Sequence, residues 1–163
     1  MITTDTSEPH AGFTADVAVW TEFGPLEISI LRPGMRILTR DSTGEPEYVK
    51  MVGRSTRNHV ATHDLFYVDG EGDVDRPITT TLHHPFMVDG RGWVRAGELK
   101  EGDRLLTRDG FVTLWDFADA KQRTAVYQVE TDGFNGYFVG GSGLWVRGKL
   151  PAEELICPGS HLP

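Results

Sequence analysis

The chain has 163 residues, 39% of them hydrophobic and 25% charged, which suits one soluble domain or two small halves sharing a core. A net charge of −8 disfavours a polyphosphate partner, and no apolar run approaches the roughly 18 residues that a membrane-crossing helix needs. The expected partners are therefore neither nucleic acid nor membrane. Residues 1–10, MITTDTSEPH, are polar and acidic and do not resemble a signal peptide, so a cytoplasmic location is the default expectation. Cys157 is the only cysteine, so no internal disulfide can form and the redox compartment stays open.

Along the chain, 19 glycines and 9 prolines separate short runs rich in Val, Tyr, Phe, Trp and Thr. In order they read DVAVW, MRILT, DLFYV, ITTTL, PFMV, WVRA, DRLLT, FVTLW, AVYQVE, YFVG and LWV. Each is a strand candidate bounded by turn residues, and no helical apolar stripe lasts three turns. ISILRPG and AGELKEGD can each hold one helical turn before a strand. The sequence predicts an all-β protein. Its expected divisions are a polar leader over 1–11, a domain over 12–148 and a Pro-rich tail over 149–163.

The domain repeats itself. LRPGMRILTRD starts at Leu31, and LKEGDRLLTRD starts sixty-eight positions later at Leu99. At the same offset Gly24 meets Gly92, Leu26 meets Val94, Gly34 meets Gly102 and Arg36 meets Arg104, without a gap. Two copies are too few for a solenoid. They predict two similar β subdomains, near 13–68 and 80–145, related by a pseudo-two-fold axis.

Three blocks carry a family resemblance: GFTADVAVWTEFGPLEISILRPGMRILTRD, ITTTLHHPFMVDGRGWVRAGELKEGDRLLTRDG and VYQVETDGFNGYFVGGSGLWVRG. In this order and spacing they resemble the Hint domain, the hedgehog/intein family of self-processing proteins, in the form found in bacterial toxin systems. The resemblance implies a disc or horseshoe of two β subdomains, with no cofactor and no metal. It implies chemistry at four places. A side-chain nucleophile at the first residue attacks the preceding carbonyl. A Thr-x-x-His pair holds and protonates the scissile peptide. A terminal Asn cyclises, assisted by the His before it.

On this chain Thr81 and His84 match the Thr-x-x-His pair. The nucleophile position falls on Gly12, and the His-Asn pair falls on Arg147 and Gly148. Another family histidine is replaced around Asn135. Glycine offers neither thiol nor carboxamide, and arginine stays protonated at working pH. The resemblance therefore implies a copy that has lost autocatalysis and serves a structural or binding role, as a monomer acting on its flanking polypeptide or a protein partner. The alternative is an active autoprotease in which Thr81 and His84 promote attack by water or a leader hydroxyl. Residues Gly12, Thr81, His84, Arg147 and Gly148 should meet in one cleft, and Gly12→Cys should restore the first step alone.

Other residues invite weaker readings. Thr14 carries a hydroxyl two residues from Gly12 but in the wrong register, and Thr6 or Ser7 could act only if the leader folded back. Cys157 with His161 could bind a metal or act in redox chemistry, though a simple tail thiol fits better. The acidic stretch VDGEGDVD hints at a calcium loop but lacks its closing Glu and flanking helices, so a hairpin turn is expected. His59, His63, His83 and His84 match no zinc spacing. Trp20, Trp93, Trp115 and Trp145 are expected in or beside the core.

Overall fold

A computed structural model describes residues 11–132 and 136–148 of the chain. The described residues form an all-β fold. Its strands are β1 (Phe13–Thr14), β2 (Ala18–Thr21), β3 (Gly24–Glu27), β4 (Arg36–Arg40), β5 (Pro46–Val68) and β6 (Ile78–Thr80). They are followed by β7 (Pro85–Val88), β8 (Gly92–Arg95), β9 (Arg104–Leu106), β10 (Phe111–Thr131), β11 (Gly136–Val139) and β12 (Leu144–Arg147). All belong to one sheet, ordered β11-β12-β7-β9-β10-β1-β6-β5-β4-β2-β3, with β8 on β7. Val139 of β11 also pairs with Val19 of β2, so the path curls back on itself around the core.

The period-2 pattern explains which side chains enter that core. Leu65 and Tyr67 of β5 point in, as do Val112, Leu114 and Val129 of β10. They meet Phe13, Val19, Ile37, Phe86, Leu105, Val139 and Val146 in one apolar cluster. A smaller cluster of Leu38, Phe138 and Trp145 collects Trp20, Met87 and Trp93 around it. Trp115 stands outside both, 45% exposed.

The repeat in the text is a repeat in the backbone. Single 3-10 turns, Ile28–Ile30 and Ala96–Glu98, occupy the same place in the two copies. Their flanking dihedrals agree: Leu31 has φ −69, ψ 147, and Leu99 has φ −73, ψ 150. The hydrogen bond from Gly34 N–H to Met51 O at 2.8 Å has its counterpart from Gly102 N–H to Leu114 O at 2.7 Å. Ile28 N–H to Val17 O (2.8 Å) likewise answers Ala96 N–H to His84 O (2.9 Å). The repeated glycines serve repeated turns. Gly34 and Gly102 sit at φ +99 and +94, where a Cβ would be strained.

The long strands differ from the short runs read in the sequence. β5 spans 23 residues and β10 spans 21, and they pair antiparallel from Thr113–Val68 to Thr131–Met51. FVTLW and AVYQVE thus belong to one strand, joined through DFADAKQRT. This middle section is largely exposed, so no burial pattern marks it; the partner's ladder hydrogen bonds hold it extended. Register shifts interrupt it at Asp119/Arg123 and Thr124/Val126. There His59 and Lys121 both take φ +60, the left-handed conformation that bends the ribbon.

The acidic stretch is a turn. Asp69 Oδ1 accepts the backbone N–H groups of Glu71 and Asp73, at 2.8 and 2.9 Å, and is fully used by the turn itself. No group of three or more metal-ligating side chains occurs among the described residues. Asp75, just beyond, ties distant parts together. Its Oδ2 accepts from the Tyr67 hydroxyl (2.9 Å) and from Ser142 Oγ (2.8 Å). Burial and the Asp75 charge both raise the Tyr67 hydroxyl above its ordinary pKa, so it remains a donor. Asp75→Ala removes the carboxylate acceptor of this buried hydroxyl, leaving it Ser142 alone, and is expected to cost about 1–3 kcal/mol in urea unfolding. Adding Tyr67→Phe should then recover part of the loss. No recovery would show that the Tyr67–Asp75 bond is not the source of the cost.

Candidate functional site

Gly12 enters the fold immediately before β1. β1 lies between β10 and β6, with Phe13 opposite both Tyr127 and Thr80. The Gly12 carbonyl accepts two hydrogen bonds, from Thr81 N–H at 3.2 Å and from the Thr80 hydroxyl at 3.1 Å. The side-chain contact is therefore made by Thr80. Thr81 contributes its backbone, and its own hydroxyl is buried without a hydrogen-bond partner. Three threonines stand in a row in ITTTL, and nothing in the text tells which hydroxyl faces Gly12.

His84 follows, just before β7, and is fully buried. Its ring lies tilted against Phe13, with centroids 4.2 Å apart, and Phe86 and Tyr137 meet it edge-on. Nε2 is 3.1 Å from Gln128 Oε1, and the Tyr137 hydroxyl donates to the same oxygen at 3.1 Å. The amide nitrogen of Gln128 donates to the carbonyl of Gly148. That bond makes Oε1 the atom facing His84, so the neutral ring carries its proton on Nε2 and donates it to Gln128. Nδ1 is 3.4 Å from Pro85 O, an acceptor, and can bond it only when the ring is doubly protonated.

Burial pushes the His84 pKa down from 6.5 to about 4, against smaller opposing effects from Gln128 and Pro85. Burial likewise raises the Tyr137 hydroxyl, which stays protonated. At neutral pH His84 has no imidazolium proton to hand to a leaving nitrogen, and its Nε2 proton is held by Gln128.

β12 brings Arg147 opposite Gly136 of β11, and Arg147 is 9% exposed. Gly148 follows, buried, with its carbonyl held by Gln128. The fold therefore gathers Gly12, Thr81, His84 and Gly148 around the Gln128–Tyr137 pair, with Arg147 next in the chain. It buries them, where the sequence pointed to a cleft. The recess lined by Met87, Leu106, Arg108 and Trp145 is a different place.

Gly12 lacks more than a side chain. A Cβ built on it would stand 2.8 Å from Tyr127 O and 3.1 Å from Val126 Cβ. Both belong to β10, so the room belongs to the neighbouring strand. Thr14 donates its hydroxyl to Asp16 at 3.0 Å. Thr6, Ser7, Asn135, Cys157 and His161 lie outside the described residues. Gln128 and Tyr137 escaped the sequence reading. The one available signal was a polar residue, Gln128, set between Tyr127 and Val129 in an apolar strand.

A family model described as the pretoxin HINT domain matches residues 18–149. Among solved structures, a bacterial intein-like domain from Clostridium thermocellum is similar, with 27% identity and a TM-score of 0.74 over 85% of this chain and 99% of that one. The Ssp DnaB mini-intein variant M86 matches at 15% identity and a TM-score of 0.73, covering 93% and 99% of the two chains. A DnaB intein from Synechocystis sp. PCC 6803 matches at 15% identity and a TM-score of 0.72, covering 86% and 100%. The two DnaB likenesses speak for the fold alone. A search of curated proteins found no match.

Proposed function

The chain belongs to the pretoxin HINT domain family, and on that premise we propose that it is a non-cleaving member that acts as a structural clasp. The observation that carries this reading is the 2.8 Å approach of Tyr127 O to the Cβ position of Gly12. A copy that had lost only a reactive atom would leave a space for it; here a strand fills the space. Three further features support the reading. Gly148 has no carboxamide to cyclise. Arg147 stands where the assisting histidine would be. His84 is neutral and its Nε2 proton is engaged.

What remains is mechanical. Thr80 and Thr81 hold the carbonyl of Gly12, and Gln128 holds the carbonyl of Gly148. Polypeptide entering at residue 12 and leaving at residue 148 is anchored at both points, by two sets of hydrogen bonds that meet where the Phe13 and His84 rings pack 4.2 Å apart. The clasp would fix the relative position of whatever flanks it, or present that junction to a protein partner.

Intact mass tests the proposal directly. The purified chain is expected to keep its full mass, apart from removal of Met1, through days at neutral pH with dithiothreitol or hydroxylamine. A fragment starting at Gly12 or ending at Gly148 would overturn it and favour autoproteolysis through Thr81 and His84.

A further inference from the structure

The repeated LTRD text leaves one arginine in each copy, Arg40 and Arg108, and the two have opposite fates. Arg40 commits its donors to the fold. Nη1 donates to Gly44 O at 3.1 Å, and Nη2 donates to Thr107 O at 3.0 Å and Arg108 O at 3.1 Å. Its guanidinium also lies over Phe138 and Trp145. The Arg108 guanidinium lies over Trp20, its Cζ 4.2 Å from the ring centroid, and makes no side-chain hydrogen bond or ion pair among the described residues. Its neighbour Asp109 is exposed and forms no salt bridge with it.

A recess of about 390 Å³ opens at this arginine, with Met87, Leu106 and Trp145 among its walls. A guanidinium seated over an aromatic ring, with its N–H groups uncommitted among the described residues, can take a carboxylate through two parallel hydrogen bonds. Stacking on Trp20 limits the rotamers lost on binding. Apolar walls beside the cation suit an aliphatic or aromatic group next to that carboxylate. Arg108 gives this concave, partly apolar recess, which Asp109 also lines, a local point of charge complementarity for an acidic group, and it acts against the repulsion of the overall charge of −8.

We infer that this recess is a peptide-docking site, in which the Arg108 guanidinium pairs with an Asp or Glu carboxylate of an acidic partner segment and Met87, Leu106 and Trp145 receive a neighbouring apolar side chain. This goes beyond the clasp role, and it does not depend on whether the chain cleaves itself, because none of these residues belongs to the Gly12–His84–Gln128 junction.

The probe is the pentapeptide acetyl-Ala-Leu-Glu-Leu-Ala-amide, titrated into the full 15N-labelled chain, with the Gln-for-Glu peptide as its partner. Saturable shifts of the Trp145 and Trp20 indole N–H signals are expected, with the Gln peptide at least about fivefold weaker. Arg108→Gln should bring the Glu peptide down to the Gln peptide's affinity. Raising the salt should weaken only the Glu peptide. Absence of shifts at millimolar peptide, or equal affinity of the two peptides for the unaltered chain, would overturn the inference. The second comparison needs no variant, so it stands even where Arg108→Gln fails to fold.

Discussion

Lowering the pH from 7 to 4 is expected to remove roughly 3 kcal/mol of folding stability through His84 alone. Burial depresses its folded pKa to about 4, while the unfolded chain titrates near 6.5. Between these values the unfolded state binds a proton that the folded state refuses. The stability is therefore fully present above the unfolded pKa, is lost as pH falls through the window from about 6.5 to 4, and reaches its floor below. Asp41 acts in the same direction but lower, because hydrogen bonds from Thr43 hold its carboxylate below its ordinary 3.8. Urea unfolding at several pH values gives the slope, and His84→Gln should flatten it between pH 6.5 and 4 whatever that variant's stability at pH 7. An unchanged slope, or a His84 ring titrating near 6.5 in the folded protein by NMR, would remove the basis of the prediction.

The second large effect concerns Gly12→Cys. Resemblance alone makes this substitution a rescue, because it restores the missing nucleophile. The structure reverses the expectation. The new Cβ would press on Tyr127 O and on Val126 Cβ, and backbone cannot rotate out of the way as a side chain can. β1 must move, which disturbs the Phe13–Tyr127 and Thr14–Val126 pairs and the hold of Thr80 and Thr81 on the Gly12 carbonyl. Overpacking of this kind costs about 1–3 kcal/mol, or roughly 2–4 °C of Tm per kcal/mol for a domain of this size. Gly12→Ala should show the same loss, since the Cβ and not the thiol is responsible. Dithiothreitol should release no leader from the Cys variant, because a displaced carbonyl forfeits the orientation on which intramolecular attack depends. An Ala variant as stable as the parent would show that β1 has room. Thiol-dependent release from the Cys variant would show that only a sulfur was missing.

The contrast between these residues and the rest marks how far the text could be read. Strand positions from Arg36 to Arg40 and from Pro85 to Val88 follow from short β-prone runs bounded by turn residues, and the 3-10 turns at Ile28 and Ala96 follow from ISILRPG and AGELKEGD. Such signals are local, written within a few residues of where they act. The middle of the β5–β10 ribbon carries no such signal, because its extended form comes from a partner some sixty residues away and not from burial. The same holds within the junction. The family blocks pointed to Thr81 and His84, yet the hydroxyl that reaches Gly12 is that of Thr80, and the group that binds His84 to Gly148 is Gln128.

By itself, the sequence determined the all-β class, the family and the repeated LRPGMRILTRD text, since each of these depends on residue identity and spacing along one stretch of chain. Only the tertiary structure decided that the space beside Gly12 is closed, that His84 is neutral, and that Arg40 spends its donors on backbone carbonyls while Arg108 is seated over Trp20. Those properties depend on which strands lie against one another and how far water is excluded between them, and distance and desolvation exist only once the chain has folded.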